Sequence, residues 1–292
     1  MCTHDSIQRP EARKSDASRQ ERLSVCAPLG LGSRLVTEVL FEKYDKKGAY
    51  HWADYSGGLM RMNAYTRARY DLVVDCLKNL TLAPEARVLD VGCGDGALSG
   101  LIRHELGQSV TGVDANPLAI DLARDAFARR GLDGQFKCIT GYDTGEPENR
   151  FDAAVCSDVI EHVLEPLTML TEIYRVLRPG GHLVITTPIR FSHRPVDPMH
   201  VQEWFTSDFV ELCGKIFGSP IHVYETHPIF WYELLTIRKT WVGRVSRLLV
   251  NTATLLGYNP FRQKLGLWRC CTTQTLVLRK SPGDLLVTGK SQ

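Results

Sequence analysis

The stretch "VLDVGCGDGALSG", residues 88–100, decides the fold. A hydrophobic run meets an acid, Asp90, and then glycines at 92, 94 and 96. Glycine is entropically costly unless the chain turns tightly or lets something approach its backbone. Followed by "GALSGLIRHEL" (96–106), the pattern reads as strand, turn and helix. In a doubly wound sheet, ligands lie beyond the carboxyl ends of the strands, against such a turn. Asp114 ends the next apolar run, "SVTGVD" (109–114), where an acid can accept hydrogen bonds from two ribose hydroxyls. Taken alone, the turn also satisfies the dinucleotide form G-x-G-x-x-A, so a hydride-transfer cofactor stays open at this point.

Outward from this turn the pattern becomes regular. Strands are predicted over 86–91, 109–114, 135–140, 151–158 and 182–188, and helices over 96–106, 117–131 and 166–181. Pro117 opens the second helix and Gly131 closes it. Strands alternating with helices imply an α/β, doubly wound parallel sheet with right-handed crossovers. Upstream, Tyr70, Val73, Val74 and Leu77 fall at helical spacing within 60–80, and 33–50 also reads as helical. Downstream, 207–218 reads as a helix, and "HVYETH" (222–227) and "TQTLVLRK" (273–280) as strands. The expected organisation is a disordered tail over 1–32, a helical cap over 33–84, an α/β domain over 85–280 and a disordered tail over 281–292.

The chain has 292 residues, 43% hydrophobic and 23% charged, which is ordinary globular composition with ample material for a core. A formal net charge of +2 is too small to argue for nucleic acid as a partner. The first residues are polar and lack an apolar signal region, and no run approaches membrane-spanning length. The nine cysteines are odd in number and form no C-x-x-C, so reduced thiols and a cytoplasmic location are expected.

From about 86 to 188 the chain resembles the class I S-adenosylmethionine-dependent methyltransferases. "VLDVGCGDG" resembles their first motif, "VDANP" their second and "FDAAVCSDVIEHV" their fourth; "EIYRVLRPGGHLVITTP" resembles the helix and strand that follow. The resemblance implies a seven-stranded sheet whose last strand is antiparallel, with one S-adenosyl-L-methionine over the glycine turn. It implies cofactor contacts from Gly92, Gly94, Asp114, Ala115 and Ser157. Asp90 would lie near the cationic amino-acid part of that cofactor. Asp143, in "ITGYDTGE", is the nearest match to an acid that contacts adenine, although its register departs from the family pattern. Within the class, the similarity is to the ubiquinone-biosynthesis O-methyltransferases and related enzymes acting on small molecules and glycans. It extends to "HWADYSGGLMRMNAYTRARYD" (51–71), where Arg67 fits an arginine that meets the cofactor carboxylate. A solvated helix arginine is the competing reading of Arg67, and Trp52 and Tyr55 read as either a pocket roof or core.

"SDVIEHV" is the expected chemical centre. A hydroxyl acceptor must lose a proton as it is methylated, and His162 is suited to take it near neutral pH. A role in fixing the loop stays open beside that one. Asp158-x-x-Glu161-His162 also resembles the E-x-x-E-H cluster of ubiquinone-pathway and small-RNA 2′-O-methyltransferases, which hold a divalent ion. His200, in "DPMHVQEWFTSDFVELC", partly matches the later histidine of the RNA enzymes. Mixed carboxylate and imidazole ligands suit Mg²⁺, Mn²⁺ or Zn²⁺, but Asp158 replaces the first glutamate and shortens its reach by a methylene. O-methylation of a small molecule or of a glycan or lipid-linked intermediate leads, with metal-assisted RNA 3′-end methylation and a non-catalytic cofactor-binding protein as alternatives.

Before the last strand, residues 228–271 form an insertion. It holds Arg238, Lys239, Arg244, Arg247, Arg262, Lys264 and Arg269, with Trp231, Trp241 and Trp268, and no acid after Glu233. A helical insertion with a solvated basic face, a lid over the acceptor, a site for an anionic substrate and peripheral contact with a membrane all fit this composition.

Overall fold

The computed structural model describes residues 43–139, 142–191, 195, 197–236, 241–263 and 270–283. The cap consists of α1 (Lys43–Lys47), α2 (Tyr50–Ser56), α3 (Gly58–Arg61) and α4 (Ala64–Asn79). The alternating part runs β1 (Arg87–Val91), α5 (Ala97–Leu106), β2 (Ser109–Asp114), α6 (Pro117–Arg130), β3 (Gln135–Cys138) and β4 (Phe151–Ser157). A single 3-10 turn (Ile160–His162) leads to α7 (Pro166–Val176), β5 (Leu177–Pro188), α8 (Thr206–Phe217) and β6 (His222–Pro228). The insertion contributes α9 (Ile229–Thr236), α10 (Trp241–Leu255) and a 3-10 turn (Pro260–Arg262) before β7 (Cys271–Arg279).

The sheet has seven strands in the order β3-β2-β1-β4-β5-β7-β6. β1 to β5 are mutually parallel, and β7 is antiparallel to both β5 and β6. This is the fold class that the sequence predicts. The parallel strands are buried on both faces, which is why they read as nearly continuous apolar runs. Alternate residues feed different cores. Val88, Val155 and Val184 pack with Val73, Ile102 and Phe127 on one side. Leu89, Ala154 and Ile185 pack with Leu170, Ile173 and Phe209 on the other.

The ends of the predicted elements move by a few residues, for local reasons. The third predicted helix stops at Val176 rather than at 181, because β5 begins at Leu177. Arg178 precedes Pro179, a position that disfavours helical backbone. Gly180 N–H then donates to the Lys280 carbonyl (3.0 Å), and Lys280 N–H to the Gly181 carbonyl (2.8 Å). β4 stops at Ser157, since Asp158 turns into left-handed backbone at φ 54°. The tail expected over 1–32, the 33–42 part of the first predicted helix, and the end of the last tail from 284 lie outside the described residues. So do Arg238, Lys239, Lys264, Trp268 and Arg269. The seven described cysteines are all free thiols.

The insertion is tied to the cap. Asn251 Nδ2 donates to the carbonyls of Leu59 (2.9 Å) and Met62 (2.8 Å), and Asn259 Nδ2 to that of Ala64 (2.9 Å). Val250 and Phe261 close a small core with Ala64 and Ala68. Beside it lies His227, wholly buried, with φ 62°. Its Nε2–H donates to the Tyr65 carbonyl (3.0 Å), so Nδ1 accepts from the Thr226 hydroxyl (2.8 Å). Burial pushes its pKa down to about 3, outweighing the Tyr65 carbonyl. The folded state therefore holds it neutral while the unfolded chain takes up a proton near pH 6.5. Its contribution is present above pH 6.5 and is lost as pH falls toward 3. Urea unfolding of the wild type and His227→Gln should show their stability gap shrinking by up to about 1.4 kcal/mol per pH unit below 6.5. A gap constant from pH 7 to pH 5 contradicts a neutral buried imidazole.

Candidate active site

The glycine turn sits at the carboxyl end of β1. The N–H groups of Gly92 and Cys93 both donate to the Val113 carbonyl (2.8 and 3.0 Å), pinning the turn to the end of β2. Gly92 and Gly94 have φ of 70° and 55°, backbone that a side chain rarely adopts. Both are also closely covered. A Cβ on Gly92 would lie 2.2 Å from a Val159 methyl, and one on Gly94 would lie 2.2 Å from the Tyr44 hydroxyl oxygen.

Asp114 joins the two turns. Its Oδ2 accepts from Gly94 N–H and its Oδ1 from Asn116 N–H, both at 2.8 Å. Asn116 caps α6 through Leu118 and Ala119 N–H. Burial raises the Asp114 pKa, and these backbone donors oppose it. Asp90 is buried under the turn, where the Ser99 hydroxyl donates to Oδ2 at 2.5 Å. Burial is the main reason its pKa is pushed up to about 7, with Ser99 opposing and the Asp114 charge adding. Ala115 is exposed beside Asp114. Asp143 lies on an exposed loop, where its Oδ1 accepts from Gly145 N–H (2.8 Å).

The cap closes over this end of the sheet. The Trp52 indole N–H donates to the Asp95 carbonyl (2.8 Å), and Asp95 accepts from His51 N–H (2.9 Å). Trp52 is core: its ring fills the space over Gly100 and stands 6.4 Å from the Phe127 ring. Tyr55 donates to Asp71 (2.9 Å) and stacks on Tyr70. Arg67 has its Nε 3.9 Å from Asp71 and its guanidinium over the Tyr55 ring. The arginine that reaches the strand ends is Arg69, which pairs through Nη1 with Asp158 Oδ2. Burial pulls the Arg69 pKa down, and the Asp158 charge more than reverses that.

Beyond β4, Ser157 shares a hydrogen bond with Thr186 (3.0 Å). The Thr186 hydroxyl reaches Asp158 Oδ1 (3.3 Å). Asp158 is thus committed to Arg69 and Thr186. Glu161 is fully buried; Thr187 donates to its Oε2 (3.1 Å), while Oε1 has no hydrogen-bond partner among the described residues. Burial, reinforced by Asp158, raises its pKa well above the carboxylate range. The Glu161 carbonyl accepts from Val201 and Gln202 N–H (2.8 and 3.3 Å), folding the 199–202 loop over the 3-10 turn.

That loop brings His200 to His162, with ring centres 5.0 Å apart. His162 Nδ1–H donates to the Met199 carbonyl (2.9 Å), leaving the lone pair on Nε2. Burial lowers its pKa, against the pull of that carbonyl. His200 Nδ1 meets Glu203 Oε1 at 2.6 Å. One ligand atom from each of Glu161, His162 and His200 lies within 4.8 Å of the others. The donor set fits a divalent ion: one carboxylate oxygen and two imidazoles, each imidazole oriented by a carboxylate or carbonyl on its other nitrogen. Of the predicted site residues, His162 and His200 come together at one point. Asp90, Gly92, Gly94 and Asp114 come together at the neighbouring turn. A cavity of about 460 Å³ lined by Ser109, Gln135 and Arg103 lies at the opposite ends of the strands, away from this chemistry.

Residues 89–185 match the family described as "Methyltransferase domain". Over this stretch the chain is similar to methyltransferase domains. The chain is 33% identical over 138 residues to the mitochondrial ubiquinone biosynthesis O-methyltransferase of Schizosaccharomyces pombe, covering 47% of this chain and 50% of that protein. It is 33% identical over 147 residues to the ubiquinone biosynthesis O-methyltransferase of Alkalilimnicola ehrlichii, covering 50% and 57%. The chain thus spans about half the length of the curated relatives it matches. Among solved structures, phosphoethanolamine N-methyltransferase 2 of Haemonchus contortus, in complex with S-adenosyl-L-methionine, has a TM-score of 0.58 at 18% identity, covering 87% of this chain and 61% of that one. The [4+2]-cyclase SpnF has a TM-score of 0.54 at 22% identity, covering 73% and 81%. These two likenesses concern the fold, and their different reactions place the burden of function on the site.

Val159, Tyr44 and Arg69 were not singled out as site residues by the sequence. Helix phase carried a signal for Arg69: four residues on it meets Val73, whereas Arg67 meets Asp71, the spacing of a solvated ion pair. Removing Arg69 leaves Asp158 buried without its cation. Arg69→Met should lower unfolding stability by about 3 kcal/mol. The double variant Arg69→Met/Asp158→Asn should lose less than the two single losses combined, by equilibrium denaturation. Additive losses contradict a coupled pair.

Proposed function

We propose that the chain transfers the methyl group of S-adenosyl-L-methionine to a hydroxyl oxygen of a small-molecule or glycan acceptor. The names of the ubiquinone-biosynthesis relatives support O-methylation. The observation that carries the reading is Glu161: a fully buried carboxyl with one oxygen unpartnered among the described residues, next to two histidines and two residues after Val159, which covers Gly92. In this reading the cofactor lies over Gly92 and Gly94, and the Asp114 carboxylate receives its ribose hydroxyls. Asp90 faces its cationic amino-acid end.

Methyl transfer is an in-line displacement: the acceptor oxygen bonds to the methyl carbon as the carbon–sulfur bond breaks. Much of the acceleration comes from holding the two reactants in line. The hydroxyl proton must also leave. Glu161, His162 and His200 would hold a divalent cation, which supplies Lewis acidity to the acceptor oxygen and lowers its pKa. Glu203 and the Met199 carbonyl fix the two imidazoles so that their Nε2 lone pairs are presented. A second reading assigns the proton to His162 itself, favoured by its burial-lowered pKa, which keeps the imidazole unprotonated near neutral pH.

Chelation separates the two readings. EDTA-treated protein should lose turnover with acceptors bearing two adjacent hydroxyls, and Mg²⁺ or Mn²⁺ should restore it, while calorimetric affinity for S-adenosyl-L-methionine stays unchanged. Electron paramagnetic resonance should detect Mn²⁺ bound to the wild type and not to Glu161→Gln. Full turnover in EDTA with no Mn²⁺ bound would assign the proton to His162.

Asp90 gives the cofactor reading a pH signature. Near its pKa of about 7 the carboxyl holds a proton in the free protein, whereas a cationic ligand selects the carboxylate. Affinity for the cofactor should therefore weaken as pH falls below 7, by at most about tenfold per unit. Asp90→Asn should flatten that profile; an identical slope in the variant removes Asp90 from contact with the cation.

A further inference from the structure

Helix α10 turns a continuous apolar face to solvent. Its buried side consists of Gly243, Val250, Asn251 and Thr254, which point to the cap. At 100° per residue, Trp241, Val242, Val245, Leu248, Leu249, Leu255 and Leu256 fall in one arc of about 140° on the opposite side. All seven are exposed: Trp241 by 76%, Leu249 by 65% and Leu256 by 83%. Only Thr252 interrupts the arc. The helix is therefore inverted relative to an ordinary surface helix, whose outward face is polar. Met60, on the neighbouring α3, is 79% exposed and extends the apolar surface. A patch of this kind marks an interaction surface.

The charge around it selects the occupant. From residue 234 to 283 the sequence contains no Asp or Glu, while Arg244 and Arg247 lie on α10 itself. Arg244 borders the apolar arc, and Arg247 reaches the Met62 carbonyl (3.2 Å) on the cap side. A second copy of this chain seated on the same face would set the Arg244-bordered edges of the two helices, which carry no acid, against each other. An anionic lipid surface would neutralise it while taking up tryptophan and leucine. A helix of 15 residues is about 22 Å long, and no helix among the described residues is long and apolar enough to cross a membrane.

We propose that α10 docks the protein on the surface of an anionic membrane, lying in the interface with the arc from Trp241 to Leu256 turned into the lipid. The inner face of α10 holds the carbonyls of Leu59 and Met62, just ahead of α4, and α4 presents Arg69 to Asp158. Docking through this helix brings the cap, and with it the strand ends, to the membrane surface. An acceptor with an apolar tail could then reach the site from the lipid phase. The membrane contact itself does not depend on the methyl-transfer reading.

Vesicle flotation tests it. The full chain is mixed with phosphatidylcholine vesicles, with or without phosphatidylglycerol, and compared with Leu248→Gln/Leu249→Gln/Leu256→Gln. These residues are exposed, so circular dichroism and cofactor affinity should match the wild type. The wild type should float with anionic vesicles and much less with neutral ones, and the triple variant should float at least about tenfold less. Trp241 emission should shift to the blue on binding anionic vesicles, a shift absent in Trp241→Phe. Wild type that stays at the bottom of the gradient, or a triple variant that floats equally, overturns the proposal. A wild-type dimer that the triple variant dissociates, without vesicle binding, assigns the face to a second copy and also overturns it.

Discussion

The Asp114 carboxylate holds two backbone turns together, and the site depends on that. One oxygen receives Gly94 N–H and the other receives Asn116 N–H. The first bond fixes the glycine turn after β1; the second fixes the start of α6 after β2. Each oxygen keeps a further lone pair, so the carboxylate that shapes the cradle is also able to accept from a ligand. Burial makes this arrangement costly for a charge, and the two donors offset part of that cost. The same economy appears at Asp90, where Ser99 is the hydroxyl donor under the turn.

A second tie, between Arg69 and Asp158, connects the cap to the end of β4. Asp158 stands in left-handed backbone, and the turn after it carries Glu161 and His162. The cap arginine therefore anchors the start of the segment that presents these two side chains. His200 arrives from a separate loop, tied down by the Glu161 carbonyl rather than by the sheet. The glycine turn and the group of Glu161, His162 and His200 are thus adjacent because the strands they follow, β1 and β4, are hydrogen-bonded neighbours.

Much of the fold was legible because its elements obey simple periods. Parallel strands buried on both faces wrote themselves as apolar runs, and Pro117 and Gly131 marked one helix at both ends. The end of α7 was less legible, because the backbone of Gly180 and Gly181 pairs with Lys280, about a hundred residues away. Asp90, Gly92, Gly94 and Asp114 could be found from one stretch and the strand that follows it. The arginine that pairs with Asp158 could not be chosen by motif position, since Arg67 and Arg69 differ only in which side of α4 they occupy. Tyr44 over Gly94 depends on how the cap folds back, which local sequence does not encode. The composition of the insertion is basic and admits a solvated polar face; the exposed face of α10 is apolar, which emerges only when its inner residues are known.

The most direct test of the central claim is calorimetric titration of S-adenosyl-L-methionine into the wild type and Asp114→Asn. The account predicts one cofactor bound per chain, with affinity at least about tenfold weaker in the variant, because one acceptor oxygen becomes a donor amide. No binding to the wild type, or equal affinity in the two proteins, would contradict it.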